Sequence, residues 1–201
     1  MVESNPVVNK FTYKYIKRFM DIIISVILIL LFSPLLLTIA FIVKISSDGS
    51  AYYNWDVLGK NGVPFRSWKF RTMVVDADKL KSNLSEKNEM TGPVFKIKND
   101  PRITKVGKYL RKYSLDELLQ LISVLKGDMS LVGPRPAGPH EFLKYEAWQK
   151  RRLSVMPGLT GPWQVYGRNS VNNFDDWVKI DLNYIDNWSF WLDIKILFKT
   201  L

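Results

Sequence analysis

The sequence predicts an α+β protein, mostly α-helical, that is attached to a membrane near its N-terminus. Three observations support this class: an uncharged apolar run at residues 22–43, alternating aromatic and β-branched residues at 51–75, and helical apolar periodicity in much of the remaining chain. The predicted elements are a re-entrant membrane helix hairpin, a small β-hairpin and interfacial amphipathic helices. We divide the chain into residues 1–48, a basic flank with the membrane helix, and residues 49–201, a domain on the cytoplasmic face that carries the interfacial helices.

The apolar run has 22 uncharged residues, enough to span a bilayer and too many for the core of a signal peptide. Pro34 removes a helical hydrogen bond, so we expect a break at Ser33-Pro34, where the Ser33 hydroxyl can bond a carbonyl that Pro34 leaves free. Basic residues flank both ends, namely Lys10, Lys14, Lys17, Arg18 and Lys44. Because basic flanks stay on the cytoplasmic side, a hairpin that returns to the same face fits best, and a kinked single span is the alternative.

A β-hairpin is predicted at residues 51–75, because two short alternating segments enclose the turn sequence GKNG at 59–62. Residues 76–100 are polar and are predicted as loop or short helix. One helix is then predicted over 106–126, with Gly127 as its C-terminal stop. The apolar stripe that predicts it comprises positions 106, 110, 113, 118, 122 and 125.

The C-terminal part is predicted to combine helices with Gly/Pro-rich loops. Helices are expected at 142–153 and 174–188, an apolar segment at 189–201, and loops at 127–140 and 157–169. One face of the helix at 174–188 carries Trp177, Ile180, Tyr184 and Trp188. Tryptophan and lysine around apolar helices are typical of a membrane interface, and packing in the protein core is the alternative explanation.

The charge of the chain predicts an anionic partner. Its formal net charge is +10 and its pI about 9.7, which favours nucleic acid, anionic lipid or a phosphorylated small molecule. The chain has no cysteine and one histidine, His140, which excludes thiolate metal sites and disfavours zinc sites and Ser-His-Asp catalysis. Acid–base chemistry would therefore fall to Asp, Glu, Lys or Tyr, and any metal would be a hard ion bound by carboxylate, phosphate and water.

Asp116 and Glu117 are adjacent acids at the start of an apolar-periodic segment. One interpretation is structural, because Ser114 and Glu117 match the capping box, in which each side chain bonds the backbone N–H of the other residue. The other interpretation is catalytic. The two are compatible, since a helix N-terminus favours negative charge and keeps Asp116 ionised, and an ionised Asp can act as a nucleophile or a metal ligand.

Basic side chains recur where the backbone is constrained. The stretch at 96–112 carries seven lysines and arginines against one acid and leads into the acid pair, while the motifs GPRP and YGRN hold arginines in rigid turns. An arginine on a rigid loop binds phosphate with little loss of entropy. Each of these residues taken alone is equally well explained as a solvated surface charge. Together they predict a phosphate- and substrate-binding set of Lys69, Arg71, Arg111, Arg135 and Arg168.

Four segments resemble a known family in both sequence and order. They are KRFMD at 17–21, WKFRTM at 68–73, YSLDELLQLISVLKGDMSLVGPRP at 113–136 and PGLTGPWQVYGRN at 157–169. These segments look like the bacterial sugar transferases, the polyprenyl-phosphate sugar-1-phosphate transferases that begin O-antigen, capsule and other glycoconjugate assembly. The resemblance covers the chain from about Tyr15 onward and is to the minimal, monotopic form of the family.

The resemblance implies a reaction and its location. A nucleotide diphospho-sugar, usually a UDP-sugar, donates its sugar-1-phosphate to polyprenyl phosphate (undecaprenyl phosphate), and a nucleoside monophosphate is released. The implied location is the bacterial inner membrane, with the catalytic domain on the cytoplasmic face, and nucleic acid is not an expected partner. The hydrophobic segment matches the re-entrant helix of the family, with its break at Ser33-Pro34.

The resemblance also implies roles for individual residues. Asp116 would attack the β-phosphate, form an aspartyl-phosphosugar intermediate and bind Mg²⁺, while Glu117 would assist the incoming lipid phosphate or help to hold the metal. Positions that carry positive charge near the phosphates are matched by Lys69, Arg111, Arg135 and Arg168. Two departures from the family pattern are Trp55 and Val57, which stand where many members carry Gln and Arg, and the end of the sequence at Leu201, where relatives often continue with a basic tail.

Two other functions are compatible with the same residues. A membrane-anchored basic module could bind nucleic acid or anionic lipid without catalysis, and it would not need Asp116. A phosphatase could act through an aspartyl phosphate and would release water-soluble sugar phosphate.

Overall fold

The computed structural model describes residues 10–168 and 170–200, a mostly helical chain with two short β-sheets. The helices are α1 (Arg18–Ser46), α2 (Lys105–Lys112), α3 (Gln120–Lys126), α4 (Pro139–Phe142), α5 (Ala147–Lys150), α6 (Pro162–Tyr166), α7 (Phe174–Asp186) and α8 (Phe190–Thr200). The strands are β1 (Tyr52–Leu58), β2 (Pro64–Phe70), β3 (Ser130–Val132) and β4 (Gly158–Thr160). The first nine residues of the predicted basic flank, Asn169 of the YGRN motif and Leu201 lie outside the described residues.

The break predicted at Ser33-Pro34 is not present, because α1 is helical throughout and contains Pro34 in its interior. Proline has no N–H to donate to the carbonyl four residues earlier, which here belongs to Leu30. The Ser33 hydroxyl donates to that carbonyl at 2.9 Å, as the sequence predicted. The acceptor that Pro34 leaves free is therefore satisfied within the helix, which explains how the helix continues through the proline.

One stripe of α1 packs on the rest of the protein, and its other faces are apolar and exposed. Met20, Asp21, Ile39 and Val43 are buried on the packed stripe, so both ends of the helix contact the domain that follows it. Exposed side chains on the other faces include Ile27, Leu30, Leu31, Leu37, Phe41 and Ile45. In the described chain, the helical stretch Thr12–Ser46 is long and apolar enough to cross a membrane. A continuous apolar surface of this kind is expected to contact lipid.

A buried ion pair attaches the start of α1 to the C-terminal helices. Lys17 Nζ lies 2.5 Å from Asp193 Oδ2 and donates to the carbonyl of Val132 at 2.9 Å. Asp193 also accepts from the Tyr184 hydroxyl at 2.7 Å and from Trp188 Nε1 at 3.1 Å. A buried charge is tolerated only when it is paired and hydrogen-bonded. This network meets that condition and fixes α1 against β3 and α8.

One turn further along α1, Asp21 binds strand β3 directly. Its Oδ1 accepts from the Leu131 backbone N–H at 2.9 Å and from the Ser130 hydroxyl at 3.0 Å. Asp21 is buried, so its carboxylate is satisfied by the strand in place of water. The KRFMD motif therefore has a structural role in this chain: Lys17 and Asp21 anchor the membrane helix to β3.

The predicted β-hairpin is confirmed. β1 and β2 pair antiparallel from Tyr52 opposite Phe70 to Leu58 opposite Pro64, around the turn at GKNG. Asn61 in this turn has a φ of 59°, a left-handed conformation that asparagine tolerates better than most residues. Val57 and Phe70 are fully buried, so the hairpin packs firmly against the domain. One face of it carries Tyr53, Trp55 and Lys69 toward the candidate site described below.

The single helix predicted over 106–126 is wrong, because the chain breaks between α2 and α3. Ser114 has a φ of 55°, which no helical residue adopts, and residues Leu115–Glu117 form a short 3₁₀ turn. The break changes the phase of the apolar stripe. Tyr113 and Ile122, predicted to face the core, are exposed, whereas Leu121 and Val124 are fully buried. Gly127 ends α3 in the left-handed conformation, as predicted.

The helix predicted at 142–153 is replaced by three short turns of helix: α4, α5 and a 3₁₀ segment, Arg151–Ser154. Two side-chain caps explain the interruptions. Glu141 accepts from the Gly138 backbone N–H at 3.1 Å at the start of α4, and Gln149 Oε1 accepts from the Glu146 backbone N–H at 2.8 Å at the start of α5. Each cap starts a new helical turn, so the segment does not form one continuous helix.

The helix predicted at 174–188 is confirmed as α7, but its aromatic face does not lie at a surface. Trp177, Tyr184 and Trp188 are each at least 94% buried in the core, so core packing, the alternative explanation, is correct for them. On α8, by contrast, Trp191 and Phe198 are 76% and 74% exposed. An interfacial position therefore stays a prediction for α8 only.

Strands β3 and β4 pair in parallel through very close backbone contacts. Ser130 lies opposite Gly158 and Val132 opposite Thr160. A Cβ on Gly158 would lie 2.1 Å from the Gly133 nitrogen, and one on Gly161 would lie 1.9 Å from the Gly133 oxygen. A side chain at either position would force these backbones apart. The glycines of the PGLTGP segment thus hold the loop that follows β3 and contains Arg135.

Arg71 caps the C-terminal end of α1. Its guanidinium donates to the carbonyls of Val43 and Ser47 at 3.1 and 2.8 Å, to the Ser47 hydroxyl at 2.9 Å, and to the carbonyl of Asp48. The last carbonyls of a helix have no partner within the helix, and a cation there also complements the helix dipole. The side chain is 9% exposed. The end of the membrane helix is therefore attached to the residue that follows β2.

We predict that Arg71→Met destabilises the protein by roughly 2–4 kcal/mol, because several buried carbonyl oxygens lose a charged donor. The thermal unfolding midpoint of the full chain in detergent should fall by roughly 5–15 °C. Arg66→Met, in strand β2 just before Arg71, is the matched control. The Arg66–Asp56 pair is 3.4 Å long with side chains 63% and 66% exposed, so its loss should cost less than about 1 kcal/mol. Equal midpoints for the two variants would contradict the capping role.

Candidate active site

Asp116 and Glu117 lie in the 3₁₀ turn between α2 and α3. Ser114 precedes the turn with a φ of 55°, and the Glu117 backbone N–H donates to the carbonyl of Ser114 at 3.2 Å. A left-handed conformation is unfavourable for serine by roughly 1–3 kcal/mol and persists only where neighbouring contacts hold it. Here Arg168 provides those contacts, since Nη1 donates to the Ser114 hydroxyl at 3.0 Å and Nη2 to the carbonyl of Arg111 at 3.4 Å.

The predicted capping box of Ser114 and Glu117 is wrong. The Ser114 side chain makes no cap hydrogen bond to the turn and is bonded to Arg168. A capping box needs an extended N-cap residue whose hydroxyl points along the helix, and the left-handed backbone of Ser114 aims the hydroxyl elsewhere. The Glu117 carboxylate is consequently free of that structural task and faces Arg135.

Asp116 is a buried carboxylate, only 5% exposed. Burial raises the pKa of Asp116, and the charge of Glu117 raises it further, whereas Lys69 and Arg111 act in the opposite direction. A carboxylate that is removed from water and faces cations is a better nucleophile or metal ligand than a hydrated one, provided that it is ionised. The two cations therefore counteract the burial that would otherwise neutralise Asp116.

Glu117 faces the GPRP loop. Arg135 Nη1 lies 3.9 Å from Glu117 Oε1, and both side chains are partly exposed. The backbone of this loop is held by Arg152, whose Nη2 donates to the carbonyl of Arg135 at 3.2 Å. Arg152 is buried and bonded to the equally buried Asp181 at 2.7 Å. Arg135 is thus an accessible guanidinium on a rigid backbone, an arrangement that suits phosphate binding.

Lys69 reaches the same cluster from the β-hairpin. Its Nζ lies 4.3 Å above the ring of Trp55 and 5.6 Å from that of Tyr53, and the two rings are stacked at 6.3 Å and 18°. Burial lowers the pKa of Lys69 to about 8, and the charges of four neighbours also act on it: Glu117, Arg135, Arg111 and Asp116. Lys69, Arg111, Arg135, Asp116 and Glu117 therefore form one cluster.

The remaining predicted phosphate ligands, Arg71 and Arg168, have structural partners. Arg71 caps α1 and Arg168 holds the turn at Ser114, although the Arg168 side chain stays exposed beside the cluster. Arg111 is also partly engaged, since Nε donates to the Thr72 hydroxyl at 2.9 Å. The structure brings Lys69, Arg111 and Arg135 together with the acid pair and separates them from Arg71, which caps α1; anion binding by this cluster stays a prediction.

The basic stretch at 96–112 is less available to a large anion than its composition suggests. Arg102 forms a buried bidentate pair with Asp100, at 2.9 and 2.6 Å, and its hydrogen bonds lower the pKa of Asp100. Lys96 donates to the carbonyl of Arg168 at 3.0 Å. These contacts use two of the cations to fix loops around the site, which disfavours an open nucleic-acid surface.

Two cavities open beside the acid pair. The first, of about 580 Å³, contacts Glu117, Gln120, Arg135 and Gln164 and is rich in carboxylates. The second, of about 560 Å³, contacts Lys69, Thr72, Phe95 and Arg111 and is rich in cations. We call them the acidic cavity and the basic cavity. The residues that line both, and so form the ridge between them, are Tyr53, Trp55, Asp78, Lys81 and Glu141.

Sequence reasoning missed Gln120 and Gln164. Gln120 is 3% exposed, follows Asp116 by one helical turn and lines the acidic cavity. Gln164 lines the same cavity, and its Oε1 is buried without a hydrogen-bond partner among the described residues. A signal was available for Gln120, because a glutamine inside an apolar periodic run is unusual and the four-residue spacing from Asp116 places both on one side of a turn. No comparable pattern marks Gln164.

Comparison with known proteins adds independent information on the whole chain. The model of the family described as bacterial sugar transferase matches residues 12–201. A galactosyl transferase, CpsE, of Streptococcus agalactiae is 49% identical over 96% of this chain and 42% of its own length. The undecaprenyl-phosphate galactose phosphotransferase of Salmonella typhimurium is 43% identical over 93% of this chain and 40% of its own length.

The extent of these matches differs between relatives. This chain spans only about two fifths of the length of the two relatives just described. It covers 83% of the exopolysaccharide production protein ExoY of Rhizobium meliloti, with 42% identity over 92% of this chain. The family model covers almost all of the chain, and the acid pair, the GPRP loop and the hairpin lysine lie together within the matched region. The chain belongs to the bacterial sugar transferase family.

Proposed function

We propose that this protein transfers a sugar-1-phosphate from a nucleotide diphospho-sugar, usually a UDP-sugar, to undecaprenyl phosphate and releases a nucleoside monophosphate. The observation that carries the proposal is the buried Asp116 carboxylate among Lys69, Arg111 and Arg135. Membership of the family supports it, because relatives are named for transfer of galactose, glucose or N-acetylgalactosamine phosphates to undecaprenyl phosphate. The product is the first lipid-linked intermediate of a polysaccharide.

The reaction proceeds in two displacements at phosphorus. A carboxylate oxygen of Asp116 attacks the β-phosphorus of the donor, and the bond from that phosphorus to the bridging oxygen breaks, which releases the nucleoside monophosphate. An oxygen of the lipid phosphate then attacks the same phosphorus, and the bond to Asp116 breaks, which restores the carboxylate. Lys69, Arg111 and Arg135 stabilise the charge on the transferring group. A covalent step allows a soluble donor and a membrane-bound acceptor to use one site in turn.

The residues present fit a magnesium ion held jointly with substrate. In the described ranges no group of three or more histidine, cysteine or acidic side chains is placed to hold a metal by itself. Mg²⁺ usually takes one or two protein carboxylates and completes its shell with substrate phosphates and water, so Asp116 and Glu117 form a suitable donor set. When bound, the ion supplies charge neutralisation to the phosphates.

We place both ends of α1 on the same, cytoplasmic, side of the inner membrane. Lys17 and Asp21 attach its start to β3 and α8, and Arg71 attaches its end to β2. If the helix crossed the bilayer, its two ends would lie on opposite sides of the membrane. The domain that binds both ends would then have to be present on both sides. Basic flanks at both ends support the cytoplasmic side. The exposed apolar faces of the helix then contact lipid on that side, and the exposed Trp191 and Phe198 of α8 lie at the interface.

Asp116→Asn should abolish transfer, with a loss of roughly 10³-fold or more, because the amide is not a nucleophile toward phosphorus. The measurement is release of nucleoside monophosphate by the purified full chain from UDP-glucose, UDP-galactose or UDP-N-acetylgalactosamine in the presence of undecaprenyl phosphate. The thermal midpoint should stay equal or rise, because an ionised carboxylate is no longer buried. The matched control is Asp176→Asn, which removes only the exposed 2.8 Å pair with Lys179.

The same assay separates the alternatives. A variant of Asp116 that retains substantial transfer would eliminate its role as nucleophile. Label from the β-phosphate that appears in water-soluble sugar phosphate, and not in lipid, would indicate a phosphatase. Salt-dependent binding of nucleic acid by wild type and variant alike, without turnover of any donor, would indicate a basic binding module.

Deprotonation of Lys69 should limit kcat/KM for the donor at alkaline pH. Burial lowers its pKa to about 8, so the ammonium is present below that pH and is lost as the pH rises through it. We therefore expect kcat/KM for the donor, which reports on the free enzyme, to fall above about pH 8. In Lys69→Arg the guanidinium stays charged over this range, so the fall should disappear or move up by more than one pH unit. The exposed Lys108→Arg is the control and should retain the wild-type profile. If kcat/KM of Lys69→Arg fell at the same pH as in the wild type, the fall could not be due to deprotonation of Lys69.

A further inference from the structure

The acidic and basic cavities are lined by different neighbours of Asp116. Glu117, which follows Asp116 in the chain, lines the acidic cavity, whereas Lys69 and Arg111, the two cations that act on Asp116, line the basic cavity. Tyr53 and Trp55 line both cavities, with Lys69 Nζ above the Trp55 ring. The two cavities therefore meet along this ridge, beside the acid pair.

The two cavities carry opposite charge. In the acidic cavity four carboxylates face two basic side chains, and the remaining polar groups are amides, carbonyls and the His140 ring. In the basic cavity six basic side chains face three carboxylates, and Tyr52, Phe70 and Phe95 add aromatic surface. A cavity with an excess of carboxylates repels phosphate but accepts hydrogen bonds from hydroxyl groups. A cavity with an excess of cations and aromatic faces suits a nucleoside phosphate.

The acidic cavity also holds a polar atom that has no protein partner. Gln164 Oε1 is buried without a hydrogen-bond partner among the described residues. Gln120, 3% exposed, lines the same cavity. An amide buried without a partner is unfavourable by roughly 1–3 kcal/mol. By contrast Gln149, a glutamine that packs outside both cavities, satisfies its amide fully by donating to Asp175 at 2.7 Å and accepting from Glu146.

From these observations we infer that the acidic cavity binds the sugar of the donor, and that Gln120 and Gln164 bind its hydroxyl groups. The inference rests on the proposed function. At the β-phosphorus the sugar and the nucleotide occupy different positions, because the leaving oxygen departs in line with the attack of Asp116. The uncharged, hydroxyl-rich sugar enters the cavity that offers carboxylate acceptors and the amides of Gln120 and Gln164. The nucleoside monophosphate leaves through the basic cavity, and the Trp55 ring forms the wall between the two subsites.

The test compares donors that differ only in the sugar. Gln120→Met and Gln164→Met are made in the full chain with Asp116→Asn, so that the donor is not consumed, and dissociation constants for UDP, UDP-glucose and UDP-galactose are measured by calorimetry in detergent. Both substitutions keep the side-chain volume and remove the amide. We expect the affinity for the UDP-sugars to fall about three- to tenfold per substitution, the usual effect of one lost hydrogen bond, and the affinity for UDP to change less than twofold.

Two control variants separate a binding role from a structural one. Because Gln164 Oε1 has no partner among the described residues and the Gln120 side chain lines the cavity, their replacement by methionine should leave the thermal midpoint unchanged or raise it. Gln149→Met should lower the midpoint, since it removes two hydrogen bonds, and should not alter either affinity. Phe95→Ala in the basic cavity should weaken UDP and the UDP-sugars by the same factor.

Each result bears on the inference in one direction. Loss of UDP-sugar affinity with UDP affinity preserved supports it. Equal losses for UDP and the UDP-sugars, no loss at all, or no binding of UDP-sugars by the parent protein would overturn it. Failure of the proposed function is distinguishable, because a selective loss in the glutamine variants, combined with no transfer to undecaprenyl phosphate by the chain with Asp116 intact, would retain the sugar subsite and reject the transferase.

Discussion

The attachment of α1 to strand β3 is the constraint on which the site depends. Lys17, directly before α1, and Asp21, in its first turn, are charged residues next to a long apolar segment, and both are buried. Their polar partners are the backbone of β3 and the side chain of Asp193, so neither residue can be satisfied unless the membrane helix and the domain are docked. β3 leads directly into the GPRP loop. The apolar helix α1 thereby fixes the strand that leads to Arg135.

The same arrangement recurs at the other end of α1. Arg71 bonds the last carbonyls of the helix, and Lys69 lies two residues earlier, at the end of strand β2. Alternate residues of a strand share one face, but Arg71 lies beyond the strand end, so its side chain can turn back to the helix while Lys69 faces the cluster. Lys69 and Arg135, the two cations of the cluster that lie outside residues 111–117, are consequently carried by segments next to elements bonded to α1. Under the proposed function, a lipid-linked acceptor that contacts this helix is brought close to the cations of the cluster.

Sequence patterns predicted those features that local chemistry determines. The turn at GKNG, the stop at Gly127, the helix at α7 and the bond from Ser33 to the carbonyl that Pro34 leaves free follow from the residues at those positions. The continuity of α1 was missed because the proline and the basic flanks together favoured a break, although the bond from Ser33 was expected. The burial of Trp177 was missed because a tryptophan stripe on a helix suits a core as well as an interface, and only tertiary packing decides between them.

The break at Ser114 shows why the rest of the site could not be predicted from the sequence. A serine in the left-handed conformation is held by Arg168, 54 residues away, which no local pattern reveals. The apolar periodicity on either side of Ser114 favours one helix. In a continuous helix the acid pair would simply extend α2. The break instead starts a second axis, which buries Asp116, turns Glu117 toward Arg135 and places Gln120 in the acidic cavity. Conflict between local preference and observed conformation is expected where function imposes the geometry, and here it coincides with the residues proposed to act on the donor.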